Sequence, residues 1–303
     1  MRLSVILSLL LASSLMFADI VSDVRGALTN QGLSVAESLL SSYRSQHGVD
    51  PAYVEALSWT ARACLQMHQL DQAQVFASQT ERLSHDLLQH RALDSDPHLP
   101  IALGAALEVE AQVQASRGQK TQAIALLRRS LATYGNSSIR ARLQKNLNSL
   151  ALTGEPAPPL SATSYLGVRP FLLSQAKGSP ILLFFWAHWC GDCKYEGPII
   201  SRLSSEFSAQ GLKIEAPTQL YGYAAQGEDA KPKDELTYIG QVWQRYYPGL
   251  QAVPVPVNKA NFNEYGASTT PTLVLIDRKG RVTLFHPGLM QYDELRSAIQ
   301  AVM

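Results

Sequence analysis

The chain has 303 residues, of which 46% are hydrophobic and 17% are charged, and its formal net charge is +1. This composition allows a buried core and excludes a chain that is disordered throughout. A net charge so close to zero gives no basis for binding nucleic acid or an anionic membrane surface, and we expect neither. The length is sufficient for two domains.

The first residues have the pattern of an export signal. Arg2 provides a positive charge, and residues 3–17 form an apolar stretch that is interrupted by serines. Ser14 and Ala18 are small enough to precede a cleavage site, so residues 1–18 are predicted to be a signal peptide. The stretch is shorter than the ~20 apolar residues that span a bilayer, although an uncleaved signal would anchor the chain. We therefore expect a periplasmic or otherwise extracytoplasmic protein with no membrane span beyond this segment.

Residues 19–152 are predicted to form an all-α domain, because proline is scarce there and alanine, leucine and glutamine are common. Three stretches each place a turn residue or a polar break before an amphipathic helix led by Ala36, Ala73 or Ala123. This repeated helix–turn–helix pattern resembles degenerate tetratricopeptide repeats, which would bind a partner protein. The alanine spacings are uneven and exceed the usual period of that family, so a plain helical bundle is the alternative.

Residues 84–100 contain two prolines and several aspartates, and they are predicted to form a loop inserted between these helices. His85, His90 and His98 fall in that segment. Their spacing matches no metal-binding motif, so we expect them to be solvated.

A second domain is predicted over residues 153–303. It begins at a proline-rich linker, residues 154–159, and its first clear strand is the apolar run 181–186. Strand and helix then alternate before a hairpin and a terminal helix, an order that fits a thioredoxin-like α/β fold. The expected elements are a helix ending at Gly211, a strand at 212–216, a helix at 234–247, a short or edge strand at 253–257, and the hairpin 272–285.

The sequence contains three cysteines: Cys64, Cys190 and Cys193. A Cys-x-x-Cys pair serves either as part of a zinc site or as a redox dithiol. A four-cysteine zinc site is excluded by the count, while a mixed site that uses His188 stays open. As a redox pair, Cys190 follows a strand and opens a helix, whose N-terminus stabilises a thiolate nucleophile. Cys193, one turn later, would resolve the mixed disulfide, and neither a metal nor another cofactor is predicted.

The residues around the cysteine pair indicate which class of redox protein the chain resembles. Residues 185–194, Phe-Trp-Ala-His-Trp-Cys-Gly-Asp-Cys-Lys, resemble the thioredoxin superfamily motif. Residues 154–158, Gly-Glu-Pro-Ala-Pro, and the Thr-Pro at 270–271 resemble TlpA/ResA-type thiol–disulfide oxidoreductases. This resemblance implies a Cys190–Cys193 disulfide, protein substrates that carry cysteines, and an upstream electron-donor thiol–disulfide protein. Cytochrome c maturation is one role of such relatives.

The resemblance also implies roles for four further residues. Pro271 matches a cis proline that faces the dithiol, and Thr270 before it would offer its backbone to a substrate peptide. Trp189 would cover one side of the site. Glu196 matches an acidic residue that moves a proton at the dithiol, the alternative being a solvated helix residue.

Two departures from thioredoxin bear on the direction of the reaction. Phe184 stands where thioredoxin has a buried aspartate, and Asp192 stands between the cysteines in place of proline. A carboxylate between the cysteines disfavours the thiolate, which favours a reductase over a strong oxidant. A protein-binding module, in which the helical repeats bind a partner and the thioredoxin-like domain is a scaffold, is the alternative function.

Overall fold

The computed structural model describes residues 19–303, and the predicted signal peptide therefore lies outside the described residues. The described chain divides into two compact units, one reaching Leu103 and the other running from Gly104 to Met303. The domain boundary predicted between residues 152 and 153 rests on the change in amino-acid composition at the proline-rich linker, and it stays a prediction.

The region before the proline-rich linker is helical, as the sequence predicts. Positive φ angles at Gly32, His68 and Gly118, of 98°, 58° and 78°, end one helix and allow the next to begin. Ala36, Ala73 and Ala123 are fully buried in the helices that follow these turns. The helices are α1 (Ile20–Asn30), α2 (Leu33–His47), α3 (Pro51–Gln66), α4 (Leu70–Leu88), α5 (Leu99–Ser116), α6 (Lys120–Tyr134) and α7 (Arg140–Ala151). Their identity as tetratricopeptide repeats stays a prediction.

The predicted loop at 84–100 is wrong at both of its ends. Helix α4 continues to Leu88 because Ser84 lies on its inner face and is fully buried. Helix α5 begins at Leu99, which is also buried. Its first turn is capped by Asp96, whose Oδ1 accepts hydrogen bonds from the N–H groups of His98 and Leu99.

His85 and His90 are exposed, as predicted, and His98 is 37% exposed at its side chain but is also paired. Its Nδ1 lies 2.7 Å from Oε2 of Glu55, a buried residue of α3. His98 is therefore paired with a buried carboxylate.

The strands of the second unit are β1 (Ser164–Leu166), β2 (Ile181–Phe185), β3 (Lys213–Glu215), β4 (Val255–Val257), β5 (Thr272–Ile276) and β6 (Val282–Pro287). Four of them form a mixed sheet with strand order β3-β2-β5-β6. β2 pairs parallel with β3 and antiparallel with β5, and β5 pairs antiparallel with β6. β4, predicted as a short or edge strand, pairs with β1 in a separate two-stranded ribbon.

The central strand β2 is buried on both faces, as its continuous apolar run predicts. The helices that pack on the sheet are α8 (Gly191–Phe207), α9 (Pro232–Tyr246), α10 (Lys259–Tyr265) and α11 (Tyr292–Gln300). Leu182 and Phe184 face a core that is covered by α8, α9 and α11, whereas Leu183 and Phe185 face a core on the opposite side with α10. The arrangement places the end of β2 and the start of α8 at one edge of the sheet.

Helix α7 packs tightly against the thioredoxin-like part of the second unit. Asn148 Nδ2 donates to the Glu264 carbonyl at 3.2 Å, and Arg140 Nη2 lies 2.8 Å from Glu264 Oε1. Gly266 has a φ of +64°, and a Cβ added there would lie 2.1 Å from the Lys145 backbone nitrogen. A side chain at this position would therefore force α7 away from the segment that leads to Thr270.

We expect Gly266→Ala to lower the free energy of unfolding by about 2–4 kcal/mol, because it adds a backbone clash to the strain of a positive φ. Gly280→Ala is the matched control, since Gly280 has a φ of +81° and open space around its added Cβ. The control should lose only about 1 kcal/mol. Denaturant titration of both variants measures the difference, and equal losses would contradict the close packing of α7.

Candidate active site

The two cysteines lie where β2 passes into α8. Trp186 directly follows β2, and its indole Nε1 donates to the Ala216 carbonyl at 3.0 Å. Cys190 is the N-cap of α8, and its Sγ accepts a hydrogen bond of 3.0 Å from the Cys193 N–H. The two residues form a disulfide with a Cα–Cα distance of 5.3 Å. A sulfur at a helix N-terminus lies in the positive end of the helix dipole, which stabilises it as a thiolate after reduction.

The two sulfurs are not equally accessible. Cys190 is 4% exposed and Cys193 is 0% exposed, so Cys190 is the cysteine that a substrate can approach. Trp189 next to it is 50% exposed. Its ring meets Tyr221 edge-on at a centroid distance of 5.5 Å. An aromatic surface therefore stands beside the accessible sulfur.

The Thr270–Pro271 bond is cis, and this loop faces the dithiol. The Thr270 carbonyl oxygen lies 3.3 Å from Cys190 Sγ. Within residues 19–303, no hydrogen bond engages the Thr270 N–H or its buried Oγ1. The backbone of Thr270 can therefore pair with an added strand next to the attacking sulfur.

Glu196 is fully buried, so the interpretation of it as a solvated residue is wrong. It lies one turn after Cys193 on the same face of α8. Its Oε2 accepts a 3.2 Å hydrogen bond from the Met290 N–H, and its Oε1 has no partner among the described residues. Burial raises the pKa of Glu196 from 4.5 to about 7. A carboxyl group with that pKa can give or take a proton near neutral pH.

A buried pair behind the dithiol escaped prediction from sequence. His188 Nε2 lies 3.4 Å from Oε1 of Glu235, longer than a good hydrogen bond, and each side chain is 1% exposed. Glu235 also accepts the backbone N–H groups of Tyr221 and Gly222. Burial lowers the pKa of His188, while the nearby Glu235 carboxylate opposes that shift. The signal that could have revealed the pair is a glutamate on the same face of α9 as Ile239 and Val242.

The tyrosine and tryptophan side chains of residues 221–247, here called the aromatic insertion, surround this pair and fill the core beneath it. The rings of Tyr221, Tyr223 and Tyr238 approach His188 edge-on at centroid distances of 5.6, 5.3 and 5.5 Å. Trp243 and Tyr247 are buried and contact the ring of Trp186. Among the described residues, no group of three histidine, cysteine or acidic side chains is arranged to hold a metal.

Another buried carboxyl group lies on the other face of the sheet. Glu215 on β3 is in register with Leu183, which faces away from the dithiol. Its Oε1 accepts the Phe171 N–H at 2.8 Å, and burial raises its pKa to about 7. Sequence reasoning missed this residue as well, since it follows an ordinary strand pattern.

Comparison with known proteins agrees with this geometry. Residues 173–303 match the family model of the thioredoxin-like domain. The chain is 27% identical over 147 residues to the thioredoxin-like protein YneN of Bacillus subtilis (strain 168), covering 48% of this chain and 78% of the relative. It is 24% identical over 149 residues to the thiol-disulfide oxidoreductase ResA of Geobacillus thermodenitrificans (strain NG80-2), covering 49% and 77%. It is 26% identical over 157 residues to the thiol:disulfide interchange protein DsbE of Xylella fastidiosa (strain Temecula1), covering 50% and 70%.

Residues 173–303 therefore match a thioredoxin-like domain, and the resemblance predicted from the motifs is confirmed. With a Cys190–Cys193 pair in place and relatives named for this activity, the protein is an oxidoreductase of the thiol–disulfide type.

Replacing Glu196 by glutamine should change how stability depends on pH. Because the folded-state pKa of Glu196 is raised to about 7, its contribution to stability is full at low pH and is lost as the pH rises toward 7. Glu196→Gln should therefore gain stability relative to wild type at pH 8, and this gain should be absent at pH 4. Unfolding titrations of the oxidised protein at both pH values measure the difference.

Glu206→Gln is a control of opposite sign. Hydrogen bonds from Arg296 and Tyr292 lower the pKa of Glu206, so its contribution is present at neutral pH and is lost on acidification. This variant should lose stability at pH 8 relative to wild type, with the loss shrinking as the pH falls. A Glu196→Gln curve parallel to that of wild type would contradict the assigned pKa.

Proposed function

We propose that this protein is an extracytoplasmic oxidoreductase that reduces disulfides of other proteins through Cys190 and Cys193. The observation that carries the proposal is the position of Cys190 Sγ, which is at a helix N-terminus and 3.3 Å from the Thr270 carbonyl. An attacking sulfur and a free backbone edge for the substrate thus lie side by side.

The reaction begins with the reduced dithiol. The Cys190 thiolate attacks one sulfur of the substrate disulfide, so a mixed disulfide forms and the other substrate sulfur leaves as a thiolate that takes up a proton. Cys193 then gives its proton to the Glu196 carboxylate and attacks Cys190 Sγ. The second substrate sulfur leaves and is protonated, and the enzyme is left with the Cys190–Cys193 disulfide. An upstream thiol–disulfide protein supplies the two electrons that restore the dithiol.

Three residues are assigned to substrate binding. Thr270 would pair its N–H and carbonyl with the backbone of a peptide, with cis Pro271 shaping the loop. Trp189 is half exposed beside Cys190 and would contact the same peptide.

The reducing direction follows from the acidic groups around the dithiol. Asp192 lies between the cysteines, and Glu196 lies one turn beyond them. Negative charge at these positions disfavours a thiolate, which makes the dithiol form less stable relative to the disulfide. The aspartate of thioredoxin is replaced by the fully buried Phe184, so Glu196 is the carboxyl group assigned to the proton.

Location outside the cytoplasm is supported by the charged and apolar pattern of residues 1–18. Among residues 19–303, no helix is long and apolar enough to cross a membrane.

Partner binding by the helical region is a second candidate function. It is supported by the repeated turn followed by a helix with a fully buried alanine, at Ala36, Ala73 and Ala123. That pattern is typical of helical repeats, which bind proteins on an extended surface.

Insulin reduction separates the two functions. The reduced wild-type protein should reduce insulin disulfides in the presence of dithiothreitol faster than dithiothreitol alone. Cys190→Ser should abolish the acceleration, because it removes the attacking sulfur, and Cys64→Ser should retain it as the matched control. A wild-type protein that fails to accelerate the reaction would favour the binding module over the reductase.

A further inference from the structure

A cleft with both polar and apolar lining residues lies between helices α5 and α7 and the loop that carries Thr270. Its volume is about 280 Å³. The helices contribute polar side chains to it, whereas Thr269 and Pro287 line it from the thioredoxin-like side. The polar side chains from the helices are Gln112, Lys145, Asn146 and Ser149. All of these residues belong to the same compact unit.

Backbone packing of α7 against the segment that leads to Thr270 fixes the position of the cleft. Gly266 lies against the backbone of α7 at Lys145, and Thr270 follows four residues later along the chain. Thr269, which lines the cleft, immediately precedes Thr270, and its carbonyl accepts a 2.6 Å hydrogen bond from Thr272 Oγ1. The cleft is therefore lined by the residue that directly precedes the backbone edge facing Cys190.

The helical wall of the cleft is an ordered hydrogen-bond network. Lys145 Nζ lies 2.7 Å from Glu108 Oε1, and Gln112 Nε2 donates to Asn146 Oδ1 at 3.0 Å. Ser149 Oγ donates to the Lys145 carbonyl at 3.0 Å. A preformed wall loses little entropy on binding, and its polar side chains beside the apolar Ala111 and Leu150 suit a polypeptide, which presents both kinds of group.

We propose that this cleft binds the extended polypeptide segment that flanks the cysteine of a substrate protein. This inference rests on the proposed function and adds the element that recognises the substrate. A peptide paired with Thr270 advances by ~3.3 Å per residue, so a few residues carry it from the attacked cysteine onto α7. The volume is at the low end for small-molecule sites, which run from about 300 Å³, and it accommodates a short length of chain.

Helix α7 would thus determine which class of disulfide the enzyme prefers. A protein disulfide contacts both the Thr270 loop and α7, whereas a small disulfide contacts the dithiol alone. The enzyme should therefore use part of its binding energy to favour protein substrates, and that part can be removed without affecting thiol chemistry.

Ser149→Trp tests this separation, because Ser149 is an exposed residue of α7 and a tryptophan there fills the cleft. Ser205→Trp is the matched control. Ser205 is likewise exposed on a helix, α8, and its Oγ makes the same bond to the carbonyl four residues earlier. Both variants are assayed with insulin and with 5,5′-dithiobis(2-nitrobenzoic acid), a small disulfide, and their melting temperatures are compared with that of wild type.

The proposal predicts that Ser149→Trp lowers kcat/KM for insulin about tenfold, mainly through KM, and leaves the small disulfide unaffected. Ser205→Trp should leave both substrates unaffected. Unchanged insulin kinetics in Ser149→Trp, or equal losses on both substrates, would overturn the inference while the reductase function stands. A wild-type protein inactive on both disulfides would overturn the reductase function and this inference with it.

Discussion

The contact between Cys190 Sγ and the Thr270 carbonyl, at 3.3 Å, is the constraint on which the site depends. Its two partners are 80 residues apart in the chain and meet because β2 and β5 are neighbours in the sheet. β2 delivers Cys190 to the start of α8, and the cis bond before β5 directs the Thr270 backbone toward it. Nucleophile and substrate-binding edge are thus fixed by the buried sheet, which excludes large relative movement.

Buried ionisable groups surround this contact and set its chemistry. Glu196 is fully buried one turn beyond Cys193, and this burial raises its pKa to about 7, so it can exchange a proton near neutral pH. On the other side, the His188–Glu235 pair secures the aromatic insertion behind the dithiol. Burying these groups costs stability, which is typical of functional sites.

The sequence predicted the elements that follow a simple physical pattern. The apolar run of β2, the Cys-x-x-Cys pair and the Thr-Pro loop predicted the fold and the site, because each is local and strongly constrained. The end of α4 and the start of α5 were missed because burial of Ser84 and capping by Asp96 override a loop-like composition. The Glu235–His188 pair and the packing of α7 at Gly266 depend on residues far apart in the chain. No spacing pattern predicts such contacts.

If its acidic surroundings make this dithiol a reductant, the redox potential of the Cys190–Cys193 pair must be low, and measuring that potential is the most direct test. Equilibration of the Cys190–Cys193 pair with glutathione or dithiothreitol buffers, followed by thiol alkylation, gives the value. With Asp192 and Glu196 beside the dithiol, we expect a potential at or below that of thioredoxin, about −270 mV. A value near that of DsbA, about −120 mV, would contradict it.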